Sequence, residues 1–213
     1  MAYRPTDKTR AHMAAQRHKL LSAAEQLVRE QGFGKLTITK LANKSGLAVG
    51  SVYKHFKSKD DLLEQVYKDL ASNNLTLDSK QILVSDNAKE QLSAALEQFF
   101  SQALMADKLS YALFYEAIPP AVETQRQAFK ANYARTFSQI IKQGMSQQLF
   151  LTQEPELSAN AVVGILTESL LIPLNWQHQQ MPTFERIKLI QQCQQFCLRA
   201  ISYNGDETSF FEH

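Results

Sequence analysis

Turn-forming residues are scarce in this chain. Only 7 glycines and 6 prolines punctuate 213 residues, and no stretch sustains the every-second-residue alternation of a half-buried strand. Together these shortages exclude a β-rich fold and leave helices joined by short turns. Cysteine is scarcer still. Cys193 and Cys197 stand four apart in a helical pattern, a placement that fits small buried apolar residues and suits neither an easy disulfide nor a CxxC motif. The longest apolar stretch, 161 to 174, is interrupted by Thr167, Glu168 and Ser169 and is too short to span a bilayer. The amino terminus is polar, with no apolar leader core, so a cytoplasmic protein with no membrane partner is expected.

Catalytic signatures are missing as well. Gly32-Phe33-Gly34 has no third glycine and no preceding strand, so it is not a dinucleotide loop, and no P-loop, HExxH or GxSxG occurs. The histidines are scattered at 12, 18, 55, 178 and 213, without metal-ligand spacing to the cysteines. The chain reads as a non-enzyme needing no metal and no cofactor.

What is present is an uneven distribution of charge. A net +2 over the whole chain hides 12 Lys+Arg against 4 Asp+Glu in residues 1–60, a local +8, while the remainder carries −6. At 44% hydrophobic residues the chain can bury a core. A basic amino-terminal module on an acidic body confines any polyanion-binding surface to the first part.

Within that basic part lies the most informative stretch, residues 37–59. Thr37 is a good N-cap, Ile38, Leu41 and Ala42 recur at helical spacing, and Lys40, Asn43 and Lys44 fall on the other side. Gly46 follows where a helix closes in the left-handed conformation. A second helix of about two turns begins near Ala48 or Val49, with Val52 and Phe56 inward and Val49, Gly50, Ser51, Tyr53 and Lys54 outward. Gly50 costs about 1 kcal/mol of helix propensity against alanine, which points to a close approach to the backbone there. Helix-turn-helix proteins lay the start of the second helix on base edges.

The run Gly46-Leu-Ala-Val-Gly50-Ser-Val-Tyr53-Lys-His55-Phe56-Lys-Ser-Lys59-Asp-Asp-Leu-Leu resembles the signature of the TetR family of bacterial transcriptional regulators, over about residues 15 to 70. That resemblance implies an all-α protein: an amino-terminal three-helix helix-turn-helix domain and a larger carboxy-terminal helical domain for ligand binding and dimerisation. It places Thr37, Ser51, Tyr53, His55 and Lys59 where phosphates are commonly touched, and Val49, Gly50 and Lys54 where base edges are reached. Lys40, on the outward side of the first helix, joins the DNA-binding set. One departure stands out: the family's recognition helix often opens with Ser or Thr, whereas Ala48 has no capping side chain.

The rest of the chain reads as a string of helices. The expected divisions are a flexible basic arm (1–14), the helix-turn-helix domain (15–60), a connecting helix and loop (61–85), a carboxy-terminal effector-binding and dimerisation domain (86–204) and a tail (205–213). Ser58 caps the connecting helix, and Pro173 should kink a long helix opened by Pro155. Phe99, Tyr111, Phe114, Tyr115, Phe137, Glu168 and Trp176 are the candidates for an effector pocket. The resemblance implies that the last two helices pair with those of a second copy, with Leu166, Leu170, Leu174, Ile190, Cys197 and Ile201 as the candidate seam.

The function expected is that of a homodimeric regulator, a repressor released from a palindromic double-stranded DNA operator by a small hydrophobic or amphipathic effector. An alternative keeps the DNA binding but gives the body a protein partner. A further alternative is an all-helical enzyme or carrier.

Overall fold

The computed structural model describes residues 7–175 and 181–202. Ten helices lie within them: α1 (Asp7–Gln31), α2 (Ile38–Ser45), α3 (Val49–His55), α4 (Lys59–Asn74), α5 (Ser79–Ile82), α6 (Ala88–Met105), α7 (Asp107–Phe114), α8 (Pro120–Ser146), α9 (Pro155–Asn175) and α10 (Thr183–Ile201). The described residues hold a single isolated bridge, between Phe150 and Ser202, and no named strand. The all-helical expectation holds.

The chain folds into two units, which the linear division at residue 60 did not anticipate. The first contains residues 1–74 together with 108–127, and the second contains residues 75–107 and 128–213. The segment carrying α7 and the opening turns of α8 therefore packs with the helix-turn-helix, although the chain on either side of it belongs to the second unit. The reason is apolar: Leu109, Leu113 and Val122 are buried, as are Leu20, Leu27, Leu41, Val52, Phe56, Leu63, Val66 and Tyr67 of α1 to α4. Truncating one of these leucines to alanine would cost about 2–5 kcal/mol.

Residues 7–14 were expected to be a flexible arm, but they are the first two turns of α1. Ala11, Ala14 and Ala15 have high helix propensity. The Asp7 carboxylate stands in the first turn, where the helix dipole favours it, and pairs with Arg10 one turn on. Burial of α1 starts only at Leu20.

The turns around α2 follow the expected chemistry. The Thr37 hydroxyl accepts from the Lys40 amide at 3.2 Å. Gly46 closes the helix at φ 64°, ψ 28°, and the Leu47 amide reaches back to the Ala42 carbonyl at 3.1 Å, a Schellman-type ending that glycine adopts without a Cβ penalty. Before α4, the Ser58 hydroxyl accepts from the Asp61 amide at 3.0 Å, and the Asp61 carboxylate accepts from the Lys57 amide at 2.9 Å. This reciprocal pair caps the helix.

In the second unit α6 is the central element, with Leu92, Ala95, Leu96, Phe99, Phe100 and Ala103 buried, and it packs on α5, α9 and α10. Asn87 caps it by accepting from the Lys89 amide at 2.9 Å. The Phe99 and Phe129 rings meet Tyr133 of α8 edge-on, at 5.1 and 5.0 Å between centroids. The Tyr133 hydroxyl donates to the Leu75 carbonyl. Pro173 falls in the last turn of α9.

Candidate nucleic-acid interface

The second helix of the helix-turn-helix, α3, buries one side and offers the other. Val52 and Phe56 are 0% and 2% exposed, whereas Val49 and Tyr53 are 45% and 55% exposed. Gly50 and Lys54 share the exposed side, and Ser51 and His55 are half-buried at its edges. A Cβ added to Gly50 would meet nothing within 4 Å, so nothing in the chain itself demands glycine there. Ala48 is the N-cap and makes no side-chain cap bond, as its composition requires. The Ser51 amide nevertheless donates to the Ala48 carbonyl at 2.8 Å, so the helix starts cleanly.

Residues of α1 brace this surface. The Gln16 amide oxygen lies 3.3 Å from His55 Nε2, and the Arg17 guanidinium sits 5.1 Å from the centre of the Phe56 ring, a cation–π contact. Partial burial, then the positive charges of Arg17 and Lys54, hold the His55 pKa below its ordinary value of 6.5. An anion at this edge would reverse that bias by favouring the imidazolium. Neither Gln16 nor Arg17 was singled out from the sequence; their place one helical turn before Leu20 was the available signal.

The remaining residues of the candidate set divide. Thr37 is exposed and its hydroxyl is engaged as a cap, leaving its proton free to donate. The Lys40 ammonium turns onto the chain, donating to Gln31 Oε1 at 2.9 Å and to the Lys35 carbonyl at 3.1 Å. Lys59 is half-buried at the first residue of α4.

The candidate pocket residues do not form one set. Tyr111, Phe114 and Tyr115 belong to the first unit and contact one another, with Tyr115 5.7 Å from Tyr111 and 6.0 Å from Phe114. Phe99 and Phe137, 1% and 0% exposed, are core of the second unit. Glu168 is exposed on α9 rather than enclosed, because it falls on the side of that helix opposite Leu166 and Leu170. Trp176 lies outside the described residues. A cleft of about 360 Å³ is instead found in the first unit, lined by His18, Leu21, Ser22, Glu25, Asp69 and Asn73. Burial, and then the charge of Asp69, raise the pKa of Glu25 there.

Most of the candidate dimer seam is turned inward. Leu166, Leu170 and Cys197 are 0% exposed, and Leu174 and Ile201 are buried with them in the second unit's own core, while Ile190 is half-buried. Burial pushes the Cys197 thiol up to about 12, so it behaves as an apolar side chain. Among the described residues, the large apolar side chains that α9 and α10 expose are Leu157, Leu171, Phe184, Ile187 and Phe196. A helical stripe read from sequence gives its spacing but not which of two apolar sides faces inward.

A cap, a left-handed glycine turn and a short helix with one exposed basic edge define a helix-turn-helix regulatory domain. Residues 20–66 match the family model of bacterial regulatory proteins, tetR family. That segment therefore carries a TetR-type amino-terminal domain.

Among curated relatives, it is 28% identical over 83 residues to the fatty acid metabolism regulator protein of Bacillus subtilis, covering 39% of this chain and 43% of that protein. It is 34% identical over 61 residues to the transcriptional repressor KstR2 of Mycolicibacterium smegmatis, covering 29% of this chain and 30% of that protein. The chain thus spans less than half the length of these relatives. Among solved structures, FadR from Bacillus subtilis in complex with stearoyl-CoA has the same fold, with a TM-score of 0.68 at 19% identity over 85% of this chain and 97% of that one.

Proposed function

We propose that this protein is a homodimeric, ligand-responsive repressor that binds a palindromic operator in double-stranded DNA. The observation that carries the reading is the exposed row Val49, Gly50, Tyr53 and Lys54 on a helix whose other side, Val52 and Phe56, is anchored in the core. Phosphate contacts fix register and base contacts specify sequence. Thr37, Ser51, Tyr53, His55 and Lys59 take the first role. Val49, Gly50 and Lys54 take the second, with the Lys54 ammonium donating to guanine O6 or N7. Lys40 contributes long-range charge, since its ammonium is already engaged.

Two such readers must reach successive major grooves, about 34–36 Å apart, which requires a second copy. The exposed apolar side chains of α9 and α10, Leu157, Leu171, Phe184 and Ile187, supply a surface for that copy. The effector is a hydrophobic or amphipathic small molecule. The similarity to a fatty acid metabolism regulator, and to a fold that holds stearoyl-CoA, directs the first trials to long-chain acyl thioesters. No described helix is long and apolar enough to cross a membrane.

The test is selection of bound fragments from a genomic DNA pool, repeated with stearoyl-CoA, with free stearate and without additive. Enrichment of an inverted repeat that is lost with the thioester supports the whole reading. Binding that no additive changes refutes the effector, and the absence of salt-sensitive duplex binding refutes the regulator. Sedimentation showing only monomer at working concentration refutes the dimer.

A further inference from the structure

The segment between α1 and α2, Gly32-Phe33-Gly34, is a backbone cradle holding a carboxylate from far along the chain. Gly32 carries φ +82°, and its amide closes α1 by donating to the Val28 carbonyl at 2.8 Å. The next two amides turn outward: Phe33 donates to Glu116 Oε2 at 2.9 Å and Gly34 to Glu116 Oε1 at 2.8 Å. Successive amides converging on an anion form a nest, and charged acceptors make the stronger hydrogen bonds. A carboxylate near the carboxy-terminal end of a helix is opposed by the helix dipole, so these two donors are what hold it there.

Gly32 is needed for the fit, and Gly34 leaves it little room. A Cβ on Gly32 would stand 2.5 Å from Oε2 and 2.7 Å from Oε1 of Glu116, besides straining a left-handed backbone, and one on Gly34 would stand 3.1 Å from Oε1. The other end of the contact is equally fixed. Glu116 lies in the elbow between α7 and α8, and its carbonyl accepts from Arg126 Nη2 at 2.7 Å, while Arg126 Nε donates to the Leu113 carbonyl at 2.8 Å. That same carbonyl accepts from the buried Tyr67 hydroxyl of α4 at 3.2 Å. Arg126 is 7% exposed and also pairs with Glu123 at 2.9 Å. Three residues after Gly34, Thr37 caps α2.

We propose that Glu116 is a positioning residue for the DNA reader: filling the Phe33–Gly34 nest, it fixes the turn that launches α2 and so the angle at which α2 and α3 are presented. The proposal rests on the DNA-binding reading above. It makes operator affinity depend on the elbow, a piece of chain flanked on both sides by residues of the second unit.

Glu116→Gln tests it with little change of volume. An amide side chain has one oxygen for two donors and turns an NH2 group toward the second. The amides of Phe33 and Gly34 are expected to exchange at least about tenfold faster by NMR, while affinity for a pool-selected fragment falls about tenfold. Affinity for a random duplex should stay near that of the wild type and the melting transition should stay cooperative, lowered by only a few degrees (about 2–6 °C), which a general loss of structure would not allow. Gly34→Ala approaches the same contact from the other side without backbone strain, and should weaken specific binding about threefold. The double variant should be no weaker than Glu116→Gln alone, because both act through one contact.

Unchanged exchange at Phe33 and Gly34, a parallel fall in specific and random affinity, or additive losses in the double variant would each overturn the proposal. Absence of duplex binding by the wild type would overturn both readings. Normal operator binding by Glu116→Gln would overturn this one alone.

Discussion

Replacing Gly50 with alanine should stabilise the free protein and weaken its hold on DNA, and the opposite signs are what make the experiment decisive. Gly50 is the second residue of α3, exposed, and a Cβ built there meets no atom of the chain within 4 Å. In a helix interior the glycine-to-alanine change gains about 0.8–1 kcal/mol. In a first turn, where fewer hydrogen bonds depend on the residue, about half of that is expected. For a protein of this size that raises Tm by about 1–2 °C. On DNA the new methyl group enters the space between the helix backbone and the base edges. A misfit of about 1–3 kcal/mol, the scale on which single base contacts discriminate, lowers affinity by about 5- to 150-fold. Melting followed by circular dichroism and binding followed by fluorescence anisotropy at fixed salt give the two numbers. A raised Tm with unchanged affinity would mean that nothing approaches Gly50, and the outward side of α3 would lose its role as reader. A lowered Tm would mean that the glycine serves the fold.

Three further outcomes separate the roles of individual residues. Lys59→Ala should weaken binding to all sequences and reduce the slope of log K against log salt by about 1, whereas Lys54→Ala should leave random duplex binding intact and relax preference at one base position in a selection experiment. Because the His55 pKa is depressed in the folded state, the unfolded chain binds the proton first. Stability is therefore complete above about pH 6.5 and declines as pH falls through that value toward the lowered one. Melts at several pH values should show a decline that His55→Gln reduces, and DNA binding below about pH 6.5 should take up a proton if His55 meets a phosphate. Tyr67→Phe removes one donor from the Leu113 carbonyl but leaves Arg126 on it. A loss of about 0.5–1.5 kcal/mol, or about 1–4 °C in Tm, is expected, and a melt indistinguishable from the wild type would contradict it. The same Tyr67 hydroxyl, pushed up to about 12 by burial, stays protonated throughout.

Local chemistry made much of the first unit legible. Thr37, Gly46 and Ser58 each act on neighbours within four residues, so their caps and turn could be read in order, and the inward pair Val52 and Phe56 followed from helical spacing alone. Partnerships across the chain were not legible in that way. Nothing in Gly32-Phe33-Gly34 names an acid more than eighty positions away, although two glycines flanking one aromatic residue signal a backbone that something approaches closely. The candidate seam shows the same limit. Leu166 and Leu170 share helical spacing with one another, but α9 is apolar on more than one side, and spacing cannot tell the side facing α6 from the side facing out. Assigning 108–127 to the larger domain failed for a related reason: proximity in sequence carried the expectation, whereas this segment groups with the first unit, where the Tyr67 hydroxyl of α4 donates to the Leu113 carbonyl.

The bare amino-terminal stretch of α1 has a practical consequence. Residues 7–15 extend about 13 Å beyond the turn at Gln16 and Arg17 that braces α3 and, with none of them buried, owe their helical form to propagation from the anchored part of α1. A fluorophore, tag or fusion attached near Asp7 therefore rides on a strut, held clear of the globule and displaced from any point fixed to its core. Distances measured from such a label will exaggerate small tilts of the reader, and a protease should trim this strut before it touches anything else described in the fold.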